Sequence, residues 1–240
     1  MNAEDSIKLT NRIVGLLGGM SWESTLTYYK VLNEGVKAKL GGLHSARIAM
    51  VSIDFAPLEH LQASGDWSAQ ASMLITAAKQ VEAAGADFLL ICTNTMHKLA
   101  AQIQAEIGIP ILHIADATAQ VLVADGLKKV ALLGTAYTME QDFYKGRLID
   151  NYGLEVVTPN ANDRAIVHEI IYKELCRGVV SQASKGEYLR IISDLAADGA
   201  QGIILGCTEI GLLVKQKDIE TPLFDTTLIH AQAAVEKACC

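Results

Sequence analysis

The sequence predicts an α/β fold of two pseudo-symmetric, Rossmann-like lobes with parallel sheets. Three observations carry this: short β-branched or Leu-rich runs alternate with longer helical patterns, glycines stand where those helices should end, and the chain contains an internal duplication. Continuous apolar strands interleaved with helices belong to parallel sheets covered on both faces. The duplication has three ordered landmarks. Val14-Gly-Leu-Leu-Gly18 resembles Val130-Ala-Leu-Leu-Gly134, 116 positions later. Gly85-Ala-Asp-Phe-Leu-Leu-Ile-Cys-Thr-Asn-Thr95 resembles Gly199-Ala-Gln-Gly-Ile-Ile-Leu-Gly-Cys-Thr-Glu209 at an offset of 114, and Ile109-Pro-Ile-Leu112 resembles Thr221-Pro-Leu-Phe224 at 112. Three matches in order, at a slowly drifting offset, describe two copies of one βαβ-rich unit rather than a short solenoid repeat.

Taken in order, the candidate strands are 13–17, 49–53, 88–92, 111–114, 130–133, 154–157, 202–205 and 222–224, each a short run rich in Ile, Val or Leu. Between them the spacing predicts helices over 68–84, 95–107 and 164–177. Each is followed by a glycine (Gly85, Gly108 and Gly178), the residue a helix C-terminus favours.

Half of the 240 residues are hydrophobic, ample for a buried core, and no apolar run is long enough to span a membrane. The start, Met1-Asn-Ala-Glu-Asp-Ser-Ile-Lys-Leu-Thr-Asn11, is polar and acidic without the apolar centre of a signal peptide, so a frayed tail on a cytoplasmic protein is expected. Twenty basic against 27 acidic residues, with no basic stripe and few aromatics, speak against nucleic acid as a partner. Cys92, Cys176, Cys207, Cys239 and Cys240 are odd in number and lack CxxC spacing, so neither a disulfide framework nor a metal site is expected. Cys176 is expected to pack.

Open parallel sheets bind ligands beyond the carboxyl ends of their strands, and the duplication places Thr93 and Cys207 at equivalent strand ends. One half of the site therefore carries a thiol and the other a hydroxyl. A thiol can ionise near neutral pH and an alcohol almost never does, so Cys207 is the candidate base. Each strand end leads into a helix start, whose free backbone N–H groups and partial positive charge are expected to lower the Cys207 pKa and to hold a carboxylate on an acidic protein. Asn94, Thr95, Thr208 and Glu209 follow directly and supply polar contacts or helix caps. The loop Gly18-Gly-Met-Ser-Trp-Glu-Ser24 has neither a GxGxxG nor a Walker pattern. Its glycines let backbone approach a small ligand, with Met20 and Ser21 beside it and Ser21 as a helix cap, while Trp22 is expected to pack.

Together, Gly18-Gly-Met-Ser-Trp-Glu-Ser-Thr25, Cys92-Thr-Asn-Thr-Met-His97, Leu132-Leu-Gly-Thr135 with Tyr137-Thr-Met139, and Gly206-Cys-Thr-Glu209 resemble the cofactor-independent aspartate/glutamate racemase family. The four motifs occur in order over nearly the whole chain. The resemblance implies an active site in the interlobe cleft, no pyridoxal phosphate or metal, and a homodimer. It also implies a chain end that returns to the first lobe, giving lobes 1–110 plus 216–240 and 111–215.

The family uses two thiols on opposite faces of the substrate α-carbon. Where its pattern commonly reads Cys-Asn-Thr-x-His, this chain has Thr93-Asn-Thr-Met-His97. Cys92 is one residue away, and on a strand that step turns a side chain to the opposite face, so Cys92 is expected to pack. The resemblance makes Cys207 the thiolate that removes the α-proton, Thr93 the group on the other face, and Asn94, Thr95 and Thr208 the holders of the α-carboxylate. His97 either tunes the site or is a hydrogen-bonded helix residue. Members that select aspartate use an arginine and a lysine for the distal carboxylate. The stretch Ser52-Ile-Asp-Phe-Ala-Pro-Leu-Glu-His-Leu-Gln62 has neither, which leaves Gln62 as the side-chain contact. Two other readings stay open: a single-cysteine decarboxylase of substituted malonates, and a non-catalytic amino-acid or dicarboxylate sensor.

Overall fold

The structure, a computed structural model, describes residues 11–240. The polar start that carries the cytoplasmic expectation lies outside the described residues. Among the described residues no helix is long and apolar enough to cross a membrane.

Strands β1 (Val14–Gly18), β2 (Ile48–Ser52) and β3 (Phe88–Ile91) form a parallel sheet in the order β2-β1-β3. Strands β4 (Lys129–Gly134), β5 (Glu155–Val157), β6 (Ile203–Gly206) and β7 (Leu223–Asp225) form a second, in the order β5-β4-β6-β7. The first sheet is flanked by α1 (Trp22–Leu40), α2 (Phe55–Ala63), α3 (Trp67–Ala83) and the short α4 (Ala100–Gln104). The second carries α5 (Ile114–Ala124), α6 (Ala136–Glu140), α7 (Asp142–Tyr152), α8 (Ala161–Lys173), α9 (Gln182–Ala197) and the single turn α10 (Ile210–Leu213), and α11 (Thr226–Ala238) ends the chain.

Three sequence expectations change. The strand expected over 111–114 is reduced to one parallel bridge, Leu89 to Ile111, because His113 ends it. The His113 Nδ1 accepts the Ala115 N–H and caps α5, which already begins at Ile114. The helix expected over 95–107 opens as a tight 3-10 turn, Thr95–Leu99, and continues only through α4. The helix expected over 164–177 is α8 plus a 3-10 turn, Leu175–Arg177, ended by Gly178 in the left-handed conformation.

Side chains alternate across each sheet. In the first, Leu17, Leu89 and Ile91 pack under α3, while Val14, Leu16, Phe88, Leu90 and Cys92 face α1 and α11. In the second, Ala131, Leu133, Ile203, Leu205 and Cys207 face α8 and α9, and Val130, Leu132, Ile204 and Phe224 face α5 and α7. Register pairs Leu17 with Ile91 and Leu133 with Leu205, so the two sheets repeat one another as the duplication predicts. The end of the chain serves both halves. β7 pairs with β6 in the second sheet, whereas α11 lies between α1 and α5, with Ala231, Ala234 and Val235 packed beneath the first sheet.

Candidate active site

Beyond the carboxyl ends of β3 and β6 the chain encloses a cavity of about 30 Å³. Met20, Gln62, Thr93, Asn94, Thr95, Cys207, Thr208 and Glu209 all line it, joined by Phe55, Met96, Thr135, Ile171, Tyr172, Cys176 and Gly206. Ser21 reaches it through a hydrogen bond, its Oγ donating to Glu209 Oε1 at 2.6 Å across the two lobes. The residues singled out in the sequence thus meet in one place. Cys92 does not: it is fully buried on the opposite face, its pKa raised by that burial. Trp22, expected to pack, is instead 63% exposed at the start of α1.

Glu209, only 3% exposed, organises the thiol side of the cavity. Its Oε2 accepts from the Cys207 Sγ at 2.9 Å and from Thr208 Oγ1 at 2.7 Å. The expectation that a helix N-terminus lowers the Cys207 pKa is overturned. Burial, and after it the Glu209 charge, push this thiol well above the ordinary range. The following helix α10 spans only four residues and cannot offset a carboxylate in direct contact with the sulfur. At neutral pH Cys207 is therefore a protonated thiol that donates to Glu209.

On the other side, Thr93 follows β3 and enters the cavity partly exposed. Its carbonyl is held by His97 Nδ1 at 2.8 Å, while His97 Nε2 accepts the Ile114 N–H at 3.2 Å. A carbonyl only accepts and an N–H only donates, so His97 carries its proton on Nδ1 and is neutral. Burial keeps its pKa well below the usual imidazole value. Both nitrogens are engaged by backbone, which settles His97 as the hydrogen-bonded anchor of the Thr93 turn.

Asn94 was expected to help hold a carboxylate; its side chain offers something else. Thr226 Oγ1 donates to the Leu205 carbonyl at 2.9 Å, so its oxygen accepts from Asn94 Nδ2 at 3.0 Å. That fixes the amide and leaves Asn94 Oδ1 buried without a partner among the described residues. An unpaired buried acceptor at a ligand cavity suits an ammonium group. Thr95 Oγ1 lies 3.1 Å from Thr135 Oγ1 and 3.4 Å from Thr138 Oγ1, a cluster of hydroxyls whose protons can turn toward an anion.

Thr135 and Tyr172 were missed as site residues. The duplication could have found Thr135, which directly follows β4 as Gly19 follows β1. No sequence signal marked Tyr172, which α8 brings in from a distance. Cys176, expected only to pack, also lines the cavity. Among the described residues no cluster of His, Cys, Asp or Glu could hold a metal ion.

This architecture has known counterparts. A crystal structure of a candidate Asp/Glu racemase from Yersinia pestis is 55% identical and superposes with a TM-score of 0.89, covering 95% of this chain and all of that one. An aspartate racemase homologue from Pyrococcus horikoshii OT3 is 36% identical with a TM-score of 0.81, over 95% of this chain and 99% of its own. The broad-specificity amino-acid racemase RacX of Bacillus subtilis (strain 168) is 20% identical over 93% of this chain and 96% of its own length. The sequence pattern of the Asp/Glu/hydantoin racemases matches residues 17–234, and the chain belongs to that family.

Proposed function

We propose that the protein is a cofactor-independent amino-acid racemase acting on aspartate or glutamate, working by α-proton abstraction at Cys207. The observation that carries this reading is the buried Cys207–Glu209 contact opposite Thr93. A protonated thiol is no base, but here its proton has an acceptor 2.9 Å away. Glu209 takes the thiol proton, the resulting thiolate removes the α-proton, and the electron pair left on the α-carbon is delocalised into the α-carboxylate. Asn94 Oδ1 receives the substrate ammonium. Hydroxyls of Thr95 and Thr135, with backbone amides at Thr208 and in the Met20-Ser21 loop, surround the carboxylate and stabilise the developing charge. Gln62 faces the side chain.

Return of a proton on the opposite face falls to Thr93, whose hydroxyl is a far weaker acid than a thiol. The two half-reactions are therefore unequal. Free D and L amino acids have equal energy, so this inequality appears in proton exchange and rates rather than at equilibrium. A homodimeric, cytoplasmic protein and the division into lobes 1–110 plus 216–240 and 111–215 belong to the same proposal, supported by the family resemblance, save that β7 pairs into the second sheet and only α11 packs on the first lobe.

The test is a panel of L and D amino acids in heavy water, read for α-proton loss and chirality together. Deuterium should enter L-aspartate or L-glutamate faster than the D form accumulates, and Cys207→Ala should abolish the exchange. Thr93→Cys, which restores a second thiol, should speed reaction from the D enantiomer. Full exchange in Cys207→Ala would refute the assignment. Carbon dioxide release from a substituted malonate, without exchange on any amino acid, would replace racemisation with decarboxylation.

A further inference from the structure

The catalytic cavity, at about 30 Å³, is the smaller of two neighbouring cavities. A second cavity of about 250 Å³ lies outside it, lined by Glu59, Ala63, Tyr137 and His168 together with Gln62 and Tyr172. Gln62 and Tyr172 are the two residues that line both. They are joined by a hydrogen bond, Gln62 Nε2 donating to the Tyr172 hydroxyl at 3.0 Å, which runs from α2 on the first lobe to α8 on the second. The bonded pair thus stands between outer vestibule and catalytic cavity.

The contact leaves donors unused. The Tyr172 oxygen accepts from Gln62, so its own proton is without an acceptor among the described residues, and Gln62 Nε2 has a second hydrogen. No arginine or lysine lines either cavity. The Tyr172 ring is held in place from behind by His168, at a centroid distance of 4.8 Å, and Tyr137 donates to the Gln62 carbonyl at 3.3 Å.

We propose that Gln62 and Tyr172 form the door of the catalytic cavity, and that the substrate's side-chain carboxylate opens it and then latches it by taking the Tyr172 O–H and one Gln62 N–H. One neutral hydrogen bond is exchanged for two to a charged acceptor, which are the stronger kind. Selection for an acidic side chain is thereby achieved with neutral donors. The inference rests on the racemase reading and adds Tyr172 as a specificity-determining residue.

The experiment compares the full-length wild type with Tyr172→Phe, a near-isosteric change. It measures KM for L-aspartate in α-proton exchange and the inhibition constant of L-asparagine, which has the same shape without the charge. The ratio of the two should shift about tenfold against aspartate, the change expected for one lost hydrogen bond to a charged group. Gln62→Leu should move the ratio in the same direction, and it decides alone if Tyr172→Phe fails to fold. A merely structural role would weaken both ligands together, so an unmoved ratio overturns the door. A wild type that exchanges no amino acid overturns the racemase reading instead. Dissociation constants of the same two ligands then read the ratio in place of KM and Ki.

Discussion

A thiol buried against a carboxylate keeps its proton, and this decides how Cys207 must work. Burial and the Glu209 charge both disfavour the thiolate, so the exchange rate should rise with pH through and beyond the ordinary thiol range. Glu209 acts in two opposed ways: it raises the thiol pKa, and it is the acceptor that makes the thiol usable. Glu209→Gln separates them. Exchange at pH 7 should fall by about 100-fold, the lower end of what loss of a positioned base produces. The pH at which the remaining activity rises should move downward, because one of the causes holding the proton on sulfur is gone. A pH–rate profile of the variant that keeps the wild-type position would show that Glu209 is not coupled to the thiol.

At the scale of elements, the duplication made most of the sheet legible, because apolar strand runs and their spacing survive in both halves. Thr93 and Cys207 were readable for the same reason: register places each just beyond the end of its strand, β3 or β6, two residues after Ile91 and Leu205. What the sequence did not reveal depends on contacts distant along the chain. The strand over 111–114 gave way to a His113 cap, and the helical start near Cys207 proved too short to govern a thiol already touching a carboxylate. Tyr172 enters the site only because α8 crosses toward α2. The packing of α11 on α1 is equally non-local. Gly35 lies mid-helix in α1, a place where alanine would favour the helix, yet a Cβ there would stand 2.7 Å from Val235 Cγ2. Gly35→Val should therefore destabilise the chain by about 2 kcal/mol, the range seen for overpacked cores, despite removing a helix-weakening glycine. Urea unfolding would check this, and an unchanged or higher midpoint would mean that α11 is not held tightly against α1.

The same helix makes the molecule as a whole sensitive to acid. His97, His113 and His230 gather where the halves meet, with His97 4.5 Å from His113 and 5.9 Å from His230 between ring centroids. Tyr28 on α1 bonds His230, and Arg147 on α7, paired with Asp116 on α5, sits near His97 and His113. Burial is the main cause that lowers all three, to about 3 for His113 and for His230. Their folded pKa values thus lie below the unfolded value of about 6.5, so the unfolded chain takes up protons first as pH falls. The stability they allow is complete above about pH 6.5 and is lost as pH falls toward 3. Each group contributes up to about 1.4 kcal/mol per pH unit in that window. His113→Asn tests this directly, because asparagine can still cap α5 while removing one titrating group. Whatever the variant does to stability at pH 8, the slope of unfolding free energy between pH 6 and 5 should fall by about 1 kcal/mol per pH unit, one group's share. An identical slope would place His113 in water rather than in the junction.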